Sequence, residues 1–218
     1  MFNDLPPITR ALLWSNGLVF LLQAMLGDSK FLAFMLWPLG DFSGLVEGRP
    51  ASVGFLPWQL VTYGFLHGDL MHLFFNMFSL MMFGNQIERV WGTHRFALYY
   101  FVCVIGAGLV QLVVATLALQ ETGRPYPTLG ASGGVFGVLL AFGMLFPHQR
   151  LMLLFPPIPM KAWVLVLGYG AVELFLGVTR TQSGVAHFAH LGGMLFGWLL
   201  IRNWRGQPPF SGPRARRF

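Results

Sequence analysis

Charge is what this sequence has least of. Only 10% of its 218 residues are Asp, Glu, Lys or Arg, where soluble domains carry about a quarter, and that excludes an ordinary water-soluble domain. Cysteine is nearly missing too: Cys103 stands alone inside an apolar run, so no intrachain disulfide can form. No HExxH zinc motif occurs. Met1 to Ile8 carries two prolines and two acid-or-amide residues, and no Ala-x-Ala-like site follows, so no cleavable signal is read. The net charge of +6 is not arranged as a basic face interleaved with stacking aromatics, which argues against a nucleic-acid partner.

What is present is apolar length. Hydrophobic residues make up 55% of the chain and the mean hydropathy is +0.61. The runs divide into spans of about 20 residues, the length that crosses a bilayer. We read them from Thr9 or Arg10 to Leu26, Asp69 to Phe83, Phe96 to Leu119, Ser132 to Phe146, Ala162 to Val178 and Val185 to Ile201. Asn16 and Gln23 in the first span predict one protein-facing side. Asp69 is placed to cap the second span, and a charged turn, Asn85 to Arg89, is expected after it.

Between the first two spans, Gly27 to Leu66 is broken by Pro38, Gly40, Gly44, Gly48, Pro50, Gly54 and Pro57. It reads as a large loop lying in the membrane interface with short helices in it, and Trp37 and Trp58 suit the headgroup boundary. The fold class is therefore an all-α polytopic membrane protein of six transmembrane helices. Residues 1–203 form the membrane domain, and 204–218 a basic, disordered tail.

Six spans put both termini on one side. Ten basic residues then fall on the terminal side (Arg10, Arg89, Arg95, Arg150, Lys161, Arg202, Arg205, Arg214, Arg216 and Arg217) against four opposite (Lys30, Arg49, Arg124 and Arg180). That bias predicts cytoplasmic termini, as in a bacterial plasma membrane. Spans two, four and six then all start near the outer face. Their first turns carry His67, Asp69, His72 and Asn76, then Ser132, then His187 and His190. Polar groups inside a membrane are costly and usually functional, and here they converge on one layer.

Ser132 opens its span within Gly130-Ala131-Ser132-Gly133-Gly134. A serine nucleophile needs a base for its proton and donors for an oxyanion. His187 and His190 are the candidate bases. His190 is favoured because Gly193 and Gly197 follow on its face, in small-xxx-small spacing like Gly133 and Gly137. His72 and Asn76 share a helix face at i, i+4 and can donate toward Ser132. His67 reads as structural, and His94 and His148 as solvated. Glu173, deep in the fifth span, must have a partner; it reads as structural or gate-related.

Gly130-Ala131-Ser132-Gly133, His72-Leu73-Phe74-Phe75-Asn76 and Ala189-His190-Leu191-Gly192-Gly193 through Gly197 resemble the GxSG, HxxxN and AHxxGxxxG motifs of rhomboid intramembrane serine proteases. The resemblance runs from about Trp58 to Leu200. It implies Ser132 as nucleophile, His190 as base in a Ser–His dyad, and an oxyanion site of His72, Asn76 and the Ser132 amide. It also implies that Phe136 packs on the base and that Glu88 is a structural acid. One departure is Trp58-Gln59, where the family has Trp-Arg.

The implied activity is endoproteolysis of transmembrane-helix substrates near the outer face of the bilayer, without a cofactor. The alternative is a rhomboid-like protein that binds client helices without cleaving them. A metal or haem site at His67, His72, His187 and His190 is disfavoured because no HExxH appears and no carboxylate is read as sitting beside them.

Overall fold

A computed structural model describes residues 4–46, 49–152, 157–179 and 185–209. The polar turn at 180–184 and the tail from residue 210 lie outside the described residues. The chain is mostly helical. Helix α1 spans Pro7–Leu26, with proline in its first turn, where the missing N–H costs nothing; Gly27, at φ 82°, ends it. The thirty-residue α5 (Thr93–Thr122) runs through the middle. It packs on α8 (His187–Trp204), and α6 (Ser132–Leu145) packs on both. Helix α7 (Ala162–Thr179) lies against α6 and α8.

Among the described residues three helices are long and apolar enough to cross a membrane: Pro7–Leu26, Thr93–Thr122 and Ala162–Thr179. Their surfaces are inverted relative to a soluble protein. Helix α1 buries Thr9, Asn16 and Gln23 and exposes Leu18, Leu21 and Met25. Helix α7 exposes Leu167, Phe175 and Val178 while burying Glu173. Apolar surface on this scale calls for lipid or a partner.

The expected charged turn after residue 83 is instead helix. Helix α3 (Leu70–Ser79) passes through a π turn (Leu80–Gly84) into α4 (Asn85–Trp91). Gly84 keeps helical dihedrals, and the chain breaks only at Gly92, where φ is 79°. The acid there does structural work. Glu88 is buried and accepts hydrogen bonds from Ile8 N, Thr9 N and Thr9 Oγ1, at 3.0, 2.7 and 2.8 Å. It satisfies from another helix the N–H groups that the start of α1 leaves unpaired, with a charge that suits the dipole.

The segment between α1 and α3 is not only loop and helix. A 3-10 turn (Asp28–Phe34) leads to an antiparallel hairpin of β1 (Asp41–Val46) and β2 (Arg49–Gly54), then to α2 (Gln59–Thr62). A second hairpin pairs β3 (Arg150–Met152) with β4 (Pro159–Lys161). Trp37 is buried beside Met35 and Leu66, with its indole N–H bonded to Leu32 O; Trp58 is exposed. Gln59, in the place of the expected arginine, is fully buried. It accepts from Trp37 N and donates to Ala33 O and Gly54 O, fastening three parts of the segment together.

Candidate active site

Ser132 is the first residue of α6, and the loop before it is pinned on three sides. Leu36 and Thr128 form a two-way backbone bridge, Gln111 donates to Thr128 Oγ1, and Gly130 N donates to Tyr63 O. Gly130 has φ +131°, and the His72 ring occupies the space where a side chain would stand, 2.7 Å from an ideal Cβ. The φ calls for glycine there, and any side chain would press on the His72 ring. The ring of His72 is in this way held beside the residue two before Ser132.

Helices α6 and α8 meet backbone to backbone. A Cβ on Gly193 would overlap the Gly133 carbonyl. The expectation that Gly133 and Gly137 open this contact needs correcting. The nearest atoms to their missing side chains belong to Ala107 and Cys103 of α5; the α8 carbonyls of Ala189 and Gly193 lie farther off, at 3.6 and 3.2 Å. Their first service is to admit α5, and Gly193 is what lets α8 close. Tyr99 Oη then donates to Gly137 O at 2.7 Å across the α5–α6 seam.

This close approach puts His190 Nε2 2.7 Å from Ser132 Oγ. The Phe136 ring, one turn after Ser132, stacks on the imidazole with centroids 4.3 Å apart and planes 5° apart. It restrains the ring from one face, as the resemblance led us to expect. The rival base, His187, faces away from Ser132 in its bonding: its Nδ1 is 2.7 Å from Glu173 Oε2.

Glu173 is the residue whose place the sequence did not reveal. Its Oε2 also lies 2.9 Å from His190 Nδ1, at hydrogen-bond distance but off hydrogen-bond alignment. The acid comes from α7, not from a helix carrying one of the three motifs. Only its burial cost in an apolar helix could have signalled it. It also corrects the statement that no carboxylate stands beside the histidines. Glu173, His187 and His190 bring three ligand atoms within 4.8 Å of one another. Their pair contacts of 2.7 and 2.9 Å are at hydrogen-bond distance, and the His187–Glu173 contact is a hydrogen bond. Ligand atoms around a tetrahedral zinc at 2.0–2.1 Å stand roughly 3.3 Å apart.

Asp69 accepts from His72 N at 2.8 Å and caps α3. Asn76 is buried on the same helix, and its Nδ2 has no partner among the described residues. His67 stands edge-on to His72 with ring centroids 5.0 Å apart. Burial, reinforced by the His72 ring, pushes its pKa down to about 3. His94 and His148 are exposed, away from this cluster. None of the site residues lines the cavity of about 530 Å³ among Asp4, Met81, Met82, Asn85 and Arg89.

A rhomboid domain model matches residues 55–204, more than half of the chain. The chain belongs to the rhomboid family. It is 32% identical over 210 residues to Rhomboid protein 1, mitochondrial, of Saccharomyces cerevisiae, covering 93% of this chain and 58% of that protein. It is 30% identical over 195 residues to the human presenilin-associated rhomboid-like protein, mitochondrial (83% of this chain, 49% of that one). Identity to rhomboid protease GluP of Bacillus subtilis is 30% over 144 residues (65% and 25%). The chain thus spans about half the length of the first of these relatives. As a rhomboid with apolar, membrane-length helices, it is a membrane protein.

Proposed function

We propose that this rhomboid is an intramembrane serine endopeptidase that cleaves transmembrane helices of other membrane proteins. The observation that carries this reading is the 2.7 Å contact between Ser132 Oγ and His190 Nε2, with Phe136 stacked on the imidazole. Nucleophile and base are at the distance that proton transfer needs. Ser132 Oγ attacks the scissile carbonyl and its proton passes to His190 Nε2. The acyl-enzyme forms as His190 returns that proton to the leaving amine, and water repeats the cycle in reverse roles.

The oxyanion falls to three donors: the Ser132 amide at the unpaired start of α6, His72 and Asn76. The unsatisfied Asn76 Nδ2 favours this role, since a buried donor without a partner is costly unless the ligand supplies one. Helix α6, at 14 residues, is about 21 Å long against a hydrocarbon layer of about 30 Å. A short helix surrounded by longer ones starts below the bilayer surface, which suits a nucleophile that meets both water and a lipid-borne substrate. The termini lie on the side where the basic residues gather, opposite Ser132. A substrate helix must unwind to present a carbonyl, so residues of weak helix propensity are expected at the cleaved bond.

The test uses a model single-span substrate in detergent and in liposomes. Ser132→Ala and His190→Ala each abolish cleavage, and a serine-reactive phosphonate labels the wild type at Ser132 alone. Full cleavage by either variant overturns the assignment and leaves the client-binding alternative.

A further inference from the structure

A neutral imidazole carries one proton, and which nitrogen holds it decides whether the ring can act as a base. To receive the Ser132 proton at Nε2, His190 must keep its own on Nδ1, and that N–H needs an acceptor in a site with few. Among the described residues, the acid nearest His190 Nδ1 is Glu173, its Oε2 2.9 Å away, within reach of a bond that a turn of the ring would align. The same oxygen takes His187 Nδ1 at 2.7 Å. A carboxylate oxygen can accept two such bonds. The three groups are buried together where α7 packs on α8.

We propose, resting on the peptidase reading above, that Glu173 is a positioning residue for His190, converting the Ser–His pair into a Ser–His–Glu relay held from α7. Its carboxylate fixes the Nδ1–H form of the ring and faces the imidazolium that arises when the serine proton arrives on Nε2. The carboxylate takes no proton itself: the proton goes from Ser132 to His190 and on to the leaving amine. His187 is the second clamp. Its bond to Oε2 keeps the Glu173 side chain in the plane between the two helices. Because the relay joins α7 to α8, displacement of α7 disarms the base.

Groups that titrate around His190 are Glu173 on α7, His187 on its own helix and His72 on α3. Glu173→Gln therefore lowers kcat on the order of 10²-fold, with KM little changed, and alters the rate–pH profile. Glu173→Asp recovers part of kcat and of the wild-type profile.

The experiment measures kcat, KM and the rate–pH profile of wild type, Glu173→Gln, Glu173→Asp and Ser132→Ala on the same single-span substrate, with thermal unfolding in detergent alongside. An unchanged kcat and rate–pH profile in Glu173→Gln, with Ser132→Ala inactive, overturns the relay and spares the peptidase reading. An active Ser132→Ala overturns the peptidase reading itself. Should Glu173→Gln fail to fold, the wild type decides: a low-field imidazole proton in its NMR spectrum, lost in His190→Gln, supports the relay, and its absence overturns it. Loss of wild-type activity with a chelator, restored by zinc, overturns it in favour of a metal cluster.

Discussion

Gly193 and Gly133 touch through their backbones: the Cβ that Gly193 lacks would land on the Gly133 carbonyl. That contact fixes the distance between α6 and α8, and with it the Ser132–His190 pair. Gly193→Ala therefore forces the helices apart rather than shifting a flexible side chain. Overpacking of this kind typically costs 1–3 kcal/mol, and because the strain falls on the catalytic contact, cleavage is lost while the helices still form. Gly168→Ala is the control. Nothing lies within 4 Å of its Cβ position on α7, so activity and stability stay at wild-type levels. Cleavage rates and circular dichroism of both variants in detergent check the pair.

Asn76 offers a cleaner separation of chemistry from folding. Its Nδ2 makes no bond among the described residues, so replacing it breaks no hydrogen bond at that atom. Asn76→Ala is expected to lower kcat by on the order of 10²-fold, the usual loss for one oxyanion donor, with unchanged unfolding temperature. Asn76→Asp puts a negative acceptor where the oxyanion needs a donor, and falls further. A stability loss matching the activity loss would assign Asn76 to the fold and not to the reaction.

Glu88 predicts the opposite pattern. Its carboxylate holds Ile8 N, Thr9 N and Thr9 Oγ1, far along the chain from Ser132. Glu88→Ala leaves those donors buried or half-buried without a partner, and each such orphan costs about 1–3 kcal/mol. Unfolding by SDS titration should show a loss of about 3 kcal/mol, with kcat per folded molecule unchanged.

These cases show what the sequence carried and what it did not. Helices α1, α5, α6, α7 and α8 were legible because apolar length is a signal that tertiary contacts do not erase. Asn16 and Gln23 announced the buried face of α1 for the same reason. The Ser132–His190 pairing was legible from spacing, since His190, Gly193 and Gly197 share a face. The α3–α4 continuation was missed because charge at 85–89 looked like a turn, whereas Gly84 keeps helical dihedrals and a π turn absorbs the change. Glu173 was legible as a buried acid but not as a neighbour of His190. That contact depends on how α7 is rotated against α8, and no local pattern encodes a rotation.

His67 gives a prediction in pH. Its ring nitrogens are buried without partners among the described residues, and its folded pKa is pushed down to about 3 from about 6.5 in the unfolded chain. The sign follows from proton counting. Below pH 6.5 the unfolded chain binds a proton at this site and the folded chain does not, so stability falls as the pH drops, by up to about 1.4 kcal/mol per unit. The full contribution is present above pH 6.5, and the loss stops growing near pH 3. His67→Phe removes that slope and keeps a ring against His72. SDS unfolding from pH 7.5 to 4.5 should therefore show a shallower decline for His67→Phe than for wild type. Parallel curves would mean that the folded protein opens enough to let His67 take its proton.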